Sequence, residues 1–161
     1  LQHEGGHYSL TGNIKVDRHL QMLIYGVGCG MSGCYWRNQH NKHHTTPQKL
    51  GADPDLLTLP LVGFHPVIGK KGNKLWMAMQ APLFFGGVIT SLVAFGWQFV
   101  MHPKHASRVG NYLELVWMGM RYALWHAAFG YMGLKQSVAL YMVHLAALAC
   151  CRSALMAPPP R

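Results

Sequence analysis

The chain has 161 residues, enough for one domain with its own core; half of them are hydrophobic and only 12% are charged. A soluble domain usually carries about 25% charged residues, so the composition argues against a soluble protein and favours a membrane protein. The net charge of +9 is compatible with nucleic-acid binding, but the basic residues flank apolar runs, as they do in loops that face the cytoplasm and anionic lipid, so no nucleic-acid partner is expected.

The chain opens with two histidines at helical spacing, in the stretch His3-Glu4-Gly5-Gly6-His7. Residues i and i+4 share one face of a helix, so both imidazoles are predicted to point in one direction. Glu4 either accepts a hydrogen bond from one of these rings or is a solvated charge at a helix start. A metal ligand at position 3 would lie at a frayed terminus, so we expect the chain to be a fragment whose N-terminal part is missing.

A second histidine group follows the glycine-rich apolar run at residues 20–36, and it reads His40-Asn41-Lys42-His43-His44. Spacings of three and four again predict one shared helix face. His40 follows His7 by 33 positions, too few to cross a membrane and return, which takes roughly 40 apolar residues. Both groups are therefore predicted to lie on the same side.

The rest of the chain predicts an all-α integral membrane helical bundle. The lysine-rich loop that follows the histidines is predicted to be cytoplasmic by the positive-inside rule, and two long apolar runs are predicted to span the membrane. The predicted order is the histidine groups within residues 1–44, a loop at 45–74, spans at 75–101 and 111–133, a short apolar segment at 136–151 and an irregular tail at 152–161.

Histidine is the dominant candidate ligand, because the cysteines form no CxxC pair. One zinc ion needs three or four protein ligands, and five imidazoles exceed that number. Imidazole-rich sets suit iron, copper, zinc or nickel. The ligand count and the membrane placement favour a two-metal oxygenase over a hydrolase. The predicted ligands are His3, His7, His40, His43 and His44.

The other six histidines fit no ligand spacing. Two of them lie inside apolar runs and are predicted to be packed or near a helix end, namely His126 and His144. The other four are predicted to be at the surface or an interface, namely His19, His65, His102 and His105.

Residues 1–65 resemble the membrane fatty acid desaturases, most closely the front-end acyl desaturases of algae and fungi. Residues 2–9 (QHEGGHYS) are similar to the first histidine box of that family, and residues 36–44 (WRNQHNKHH) to the second. The stretch after the second box, including Asp53-Pro54-Asp55-Leu56, is similar as well. From 75 to about 150 the resemblance is only architectural, and residues 1–151 are interpreted as a partial desaturase domain with a cytoplasmic histidine-box cap.

The resemblance implies an oxidoreductase with two iron ions that introduces a cis double bond into a long polyunsaturated acyl chain. It implies O2 as oxidant, electrons from a cytochrome b5 domain or protein and its reductase, and a place in the endoplasmic reticulum with the boxes facing the cytosol. The five box histidines would be iron ligands. The family's third box has no counterpart here, so the fragment alone is expected to be inactive.

Two alternatives remain open at this stage. A related di-iron lipid hydroxylase would share the histidine spacing, so spacing alone does not separate the two reactions. A histidine-rich membrane metal transporter is a candidate from another class, and it would be expected to place histidines along its spans.

Overall fold

The computed structural model describes residues 1–85 and 87–155, and all regular secondary structure in those residues is helical. The all-α prediction is confirmed for that part of the chain. The helices are α1 (Gln2–Gly6), α2 (Ile14–Cys29), α3 (Gly33–Thr45), α4 (Pro66–Gly69), α5 (Lys74–Ala78), α6 (Gln80–Phe85), α7 (Val88–Gly96), a π-helical segment (Trp97–Met101), α8 (His102–Arg108), α9 (Tyr112–Phe129), a 3-10 turn (Gly130–Met132) and α10 (Leu134–Leu155).

None of the helices in residues 1–85 and 87–155 combines the length and the apolar composition needed to cross a membrane. The predicted span at residues 75–101 is divided among α5, α6, α7 and the π-helical segment. Gly87 precedes α7 with φ +79, a left-handed conformation that interrupts a helix and that glycine adopts without steric cost.

The last helix is longer than the sequence predicts. Helix α10 runs to Leu155, four residues into the predicted irregular tail at 152–161. Ala154 and Leu155 are strong helix formers, which accounts for the extension. Residues 156–161 lie outside the described residues.

Helices α2 and α9 form the main packing contact, and α1 and α3 both pack on α2. Gly26 permits the close approach of α9: a Cβ at this position would lie 2.5 Å from Trp117 Cβ. Helix α3, which carries the second histidine group, contacts α1, α2 and α8, and α8 in turn contacts α9.

The start of α3 is fixed by buried hydrogen bonds. Ser32 caps α3 by accepting a hydrogen bond from the Tyr35 N–H at 3.0 Å. Glu114 of α9 accepts from the Ser32 hydroxyl and, at 2.8 Å, from the Cys34 N–H. The Ser32 N–H donates to His102 Nδ1 of α8 at 2.8 Å. Elements distant in sequence therefore set the position of α3.

Polar side chains are buried while many large apolar side chains are exposed. Asp17, Gln21 and Gln98 are fully buried. On α7 and α9, Phe95 is 44% exposed and Val116 is 58% exposed. Large contiguous apolar patches are typical of surfaces that contact lipid or another protein.

Candidate metal centre

The two histidine groups meet where α1 packs against α3. His3 lies in α1, His7 directly follows it, and His40 and His44 lie one turn apart on α3. Gly6 allows the close packing, because a Cβ there would lie 2.3 Å from Cζ3 of the Trp36 ring. The i, i+4 spacing in both helices directs four imidazoles into the space between them.

Four Nε2 atoms converge at this point. His40 Nε2 lies 3.2 Å from His3 Nε2, 3.1 Å from His7 Nε2 and 3.0 Å from His44 Nε2. A ring nitrogen carries either one proton or one lone pair, so it cannot form three hydrogen bonds at once. Adjacent ligands of one metal ion, at about 2.1 Å from the metal, lie about 3 Å apart, which matches this spacing. In the four-histidine cluster (His3, His7, His40, His44), the ligand atoms of His3, His7 and His40 all lie within 4.8 Å of one another and fit a shared cation, while His44 adjoins His40.

The surroundings of His40 and His7 disfavour protonation of these two rings. Burial, together with the neighbouring His44, His7 and His3, lowers the pKa of His40 to about 4. Burial also lowers the pKa of His7, with His3 and His44 acting in the same direction. A neutral imidazole has the free lone pair that a metal requires, so the lowered pKa values of His40 and His7 favour metal binding by these two rings.

Glu4 orients the first ring. Its Oε1 lies 3.0 Å from His3 Nδ1, and its Oε2 accepts a hydrogen bond from the Ser9 hydroxyl at 3.0 Å. The hydrogen bonds from His3 and Ser9 lower the pKa of the Glu4 carboxyl. A carboxylate that accepts from Nδ1–H leaves the His3 Nε2 lone pair free, the role considered for Glu4 from the sequence.

His43 does not join the four-histidine cluster. Its Nδ1 lies 3.1 Å from both carboxylate oxygens of Asp53 and 3.3 Å from Asp55 Oδ2. The Asp53 hydrogen bond raises the pKa of His43. Successive positions on a helix differ by 100°, so neighbours such as His43 and His44 cannot share one direction. The expected common direction is therefore seen for His40 and His44 alone.

Trp36 belongs to the site, although the histidine pattern does not identify it. Its ring stacks on His40, with centroids 4.1 Å apart and planes 26° from parallel, and it meets His3 edge to face at 5.6 Å. Trp36 precedes His40 by four residues. The helical spacing that links the histidines is thus the sequence signal that could have found it.

The sequence predicts His102 and His105 at the surface or an interface, and the surface position is wrong. They are 1% and 8% exposed, because residues 102–108 form α8 and pack against α3 and α9 instead of forming a polar connection. The Tyr35 ring lies 4.5 Å from His102 and 5.3 Å from His105. Burial lowers the pKa of His102 to about 4.

The remaining histidines stay away from the cluster. His19 is exposed on α2, where its Nδ1 contacts the Lys15 carbonyl oxygen at 2.7 Å. His65 caps α4 by accepting from the Val67 N–H. His126 is exposed, and His144 lies 3.1 Å from an Arg121 nitrogen.

Comparisons with known proteins agree with the pattern of the site. A family model described as "Fatty acid desaturase" matches residues 1–157. An acyl-lipid (8-3)-desaturase of Rebecca salina is 59% identical over 128 residues, which are 77% of this chain and 30% of that protein. An acyl-lipid (8-3)-desaturase of Thraustochytrium sp is 42% identical over 149 residues, 88% of this chain and 34% of that protein. A delta(8)-fatty-acid desaturase of Arabidopsis thaliana is 36% identical over 61 residues, 38% of this chain and 14% of that protein.

The chain spans about a third of the length of the two acyl-lipid relatives. No solved structure matches it.

Proposed function

Because this chain belongs to the fatty acid desaturase family, we propose that it carries part of the iron site of a membrane acyl-lipid desaturase. The observation that carries the proposal is the convergence of the four-histidine cluster, with Nε2 atoms 3.0 to 3.2 Å from that of His40. The resemblance seen in the histidine boxes is confirmed at the level of the family.

The residues of the chain would bind and orient the metal. His3, His7, His40 and His44 would offer their Nε2 atoms, and His43 would offer its Nε2 because its Nδ1 faces Asp53. Iron bound there would supply activation of O2 for removal of two hydrogens from adjacent methylenes. The balanced reaction takes two electrons and two protons, and it yields the alkene and two waters. We propose cytochrome b5 as the electron donor, as the resemblance implies.

The proposed substrate is an acyl chain of a lipid, desaturated in the (8-3) manner of the two relatives. Both carry that designation, at 59% and 42% identity over most of this chain, whereas the delta(8) relative matches only 38% of it. We accordingly propose that the reaction is a front-end desaturation of a polyunsaturated acyl chain.

We also propose that the protein lies in the endoplasmic reticulum membrane with the histidine groups on the cytosolic side. The exposed apolar side chains of α7 and α9, including Phe95 and Val116, support contact with lipid. The two predicted spans and the boundaries of the partial domain stay predictions.

The test is expression of the full-length gene product in yeast fed polyunsaturated acids, including the acid that the Rebecca salina enzyme desaturates. Gas chromatography should detect a new double bond, which His40→Ala and His43→Ala abolish. His19→Ala is the matched control, because that ring is exposed and far from the cluster, and it should retain the product. Product formation by His40→Ala would overturn the metal-centre assignment.

The same experiment separates the alternatives. A hydroxylated acyl product would indicate the related lipid hydroxylase. Bound zinc without any altered acyl chain would indicate a metal transporter, whereas two irons per protein support the desaturase. The gathering of four histidines at one point, instead of along the helices, favours the oxygenase.

A further inference from the structure

Asp53 is a buried carboxylate in the segment that follows α3. It is 1% exposed, and both of its oxygens lie 3.1 Å from Nδ1 of His43. An ionised carboxylate is rarely buried without strong partners, because desolvation disfavours the charge. Hydrogen bonds from His43 and from backbone amides oppose this effect and lower the pKa of Asp53.

The backbone partners fix the carboxylate in place. The Gln48 N–H donates to Oδ2 at 2.7 Å, and the Asp55 N–H donates to Oδ1 at 2.9 Å. Each oxygen thus accepts a backbone hydrogen bond as well as facing the imidazole. The ligand atoms of His43, Asp53 and Asp55 lie within 4.8 Å of one another, a spacing that a cation would also fit. With a proton on His43 Nδ1, the same contacts are hydrogen bonds to the two carboxylates instead.

We propose that Asp53 is a positioning residue, which holds the proton of His43 on Nδ1 and thereby directs the Nε2 lone pair to iron. The inference rests on the proposed function. An acceptor that cannot donate admits only one arrangement, with Nδ1–H facing the carboxylate and Nε2 unprotonated. A carboxylate behind a ligand imidazole also raises its basicity toward the metal.

Asp53→Asn tests the proton arrangement with little change in shape. An amide NH2 facing His43 would donate to Nδ1 and leave the proton on Nε2, where it blocks metal binding. We expect the apparent iron affinity of the full-length protein, measured as iron retained in a chelator titration, to fall about 10- to 100-fold. Asp17→Asn is the matched control: Asp17 is fully buried and accepts hydrogen bonds from Leu10 and Thr11, but it is not bonded to a histidine.

A double-mutant cycle separates positioning from folding. His43→Ala should lower iron affinity by itself, and Asp53→Asn added to His43→Ala should cause no further loss, because the carboxylate acts through that ring. An equal additional loss in the His43→Ala background would overturn the inference. Thermal midpoints of Asp53→Asn and Asp17→Asn, measured in parallel, should fall by similar amounts.

Asp53→Glu provides a second measurement if the asparagine variant does not accumulate. It keeps the charge and the acceptor oxygens but extends the side chain by one methylene. We expect an iron affinity between those of the unmutated protein and Asp53→Asn, while Asp17→Glu keeps its iron. Unchanged iron affinity in both Asp53→Glu and Asp53→Asn would overturn this inference and leave the proposed function standing. An unmutated protein that binds no iron would overturn the proposed function as well.

Discussion

The Trp36 ring lies against His40 with the two centroids 4.1 Å apart, so an aromatic side chain forms one wall of the four-histidine cluster. His40 is the ring whose Nε2 lies closest to three other imidazoles. Its orientation therefore affects all three of these distances. Trp36 restricts that orientation, and its ring also meets His3 of α1 edge to face at 5.6 Å.

Replacing Trp36 should weaken iron retention without removing any ligand. Trp36→Ala removes the stacking contact and part of the packing under α1, and we expect a loss of about 2 kcal/mol in stability together with reduced iron. Trp36→Phe keeps an aromatic face and should retain most of the iron. Iron content and thermal midpoint of the purified full-length protein measure both effects. Equal iron in all three proteins would contradict this role.

Gly6→Ala should disturb the approach of α1 to α3. The new Cβ would lie 2.3 Å from Trp36 Cζ3 and 2.7 Å from Gln21 Nε2, so the helices must separate, at a cost of about 1–3 kcal/mol. Gly28→Ala is the control, because no atom lies within 4 Å of its added Cβ, and helix α2 should tolerate it or gain stability. The thermal midpoint and the desaturase activity of the full-length protein should fall in Gly6→Ala and should not fall in Gly28→Ala.

Glu114→Ala should loosen the start of α3. The change leaves the Cys34 N–H and the Ser32 hydroxyl without their buried acceptor, which costs about 1–3 kcal/mol. Glu114→Gln keeps one acceptor oxygen and should lose less. Thermal midpoints rank the three proteins, and hydrogen exchange of the first turn of α3 locates the effect. If the first turn of α3 kept the same protection from hydrogen exchange in Glu114→Ala, the start of α3 would not depend on α9.

His102 should make stability dependent on pH. Its folded pKa is lowered from 6.5 to about 4, so the unfolded chain takes up the proton first as the pH falls. Its contribution is present above pH 6.5 and is lost as the pH falls toward 4, by up to about 3 kcal/mol. His102→Gln keeps an acceptor for the Ser32 N–H and should show a smaller pH dependence. His40 and His7 titrate in both proteins, so their contributions cancel in the difference between the two pH profiles. Identical profiles would refute the assignment of this pH dependence to His102.

The sequence predicts the ligand types and the two helices of the metal centre because i, i+3 and i+4 spacings are local properties of a helix. The contact between His43 and Asp53 could not be predicted in this way. It depends on the turn after α3, where Gln48 adopts φ +58 and its N–H reaches the carboxylate. The burial of His102 was also missed, because a polar stretch between two apolar runs predicts a connection, whereas the packing of α8 on α3 and α9 makes it a helix.

Helix α1 has only five residues, too few to be stable alone, yet its end of the cluster supplies two of the four imidazoles. An ion shared by His3 and His40 would act as a cross-link between chain positions 37 residues apart, comparable in effect to a disulfide that closes the same loop. Metal loading and ordering of the first turn would then be one event. Removal of iron by a chelator should accordingly increase proteolysis near residues 1–13 before any other part of the chain becomes accessible.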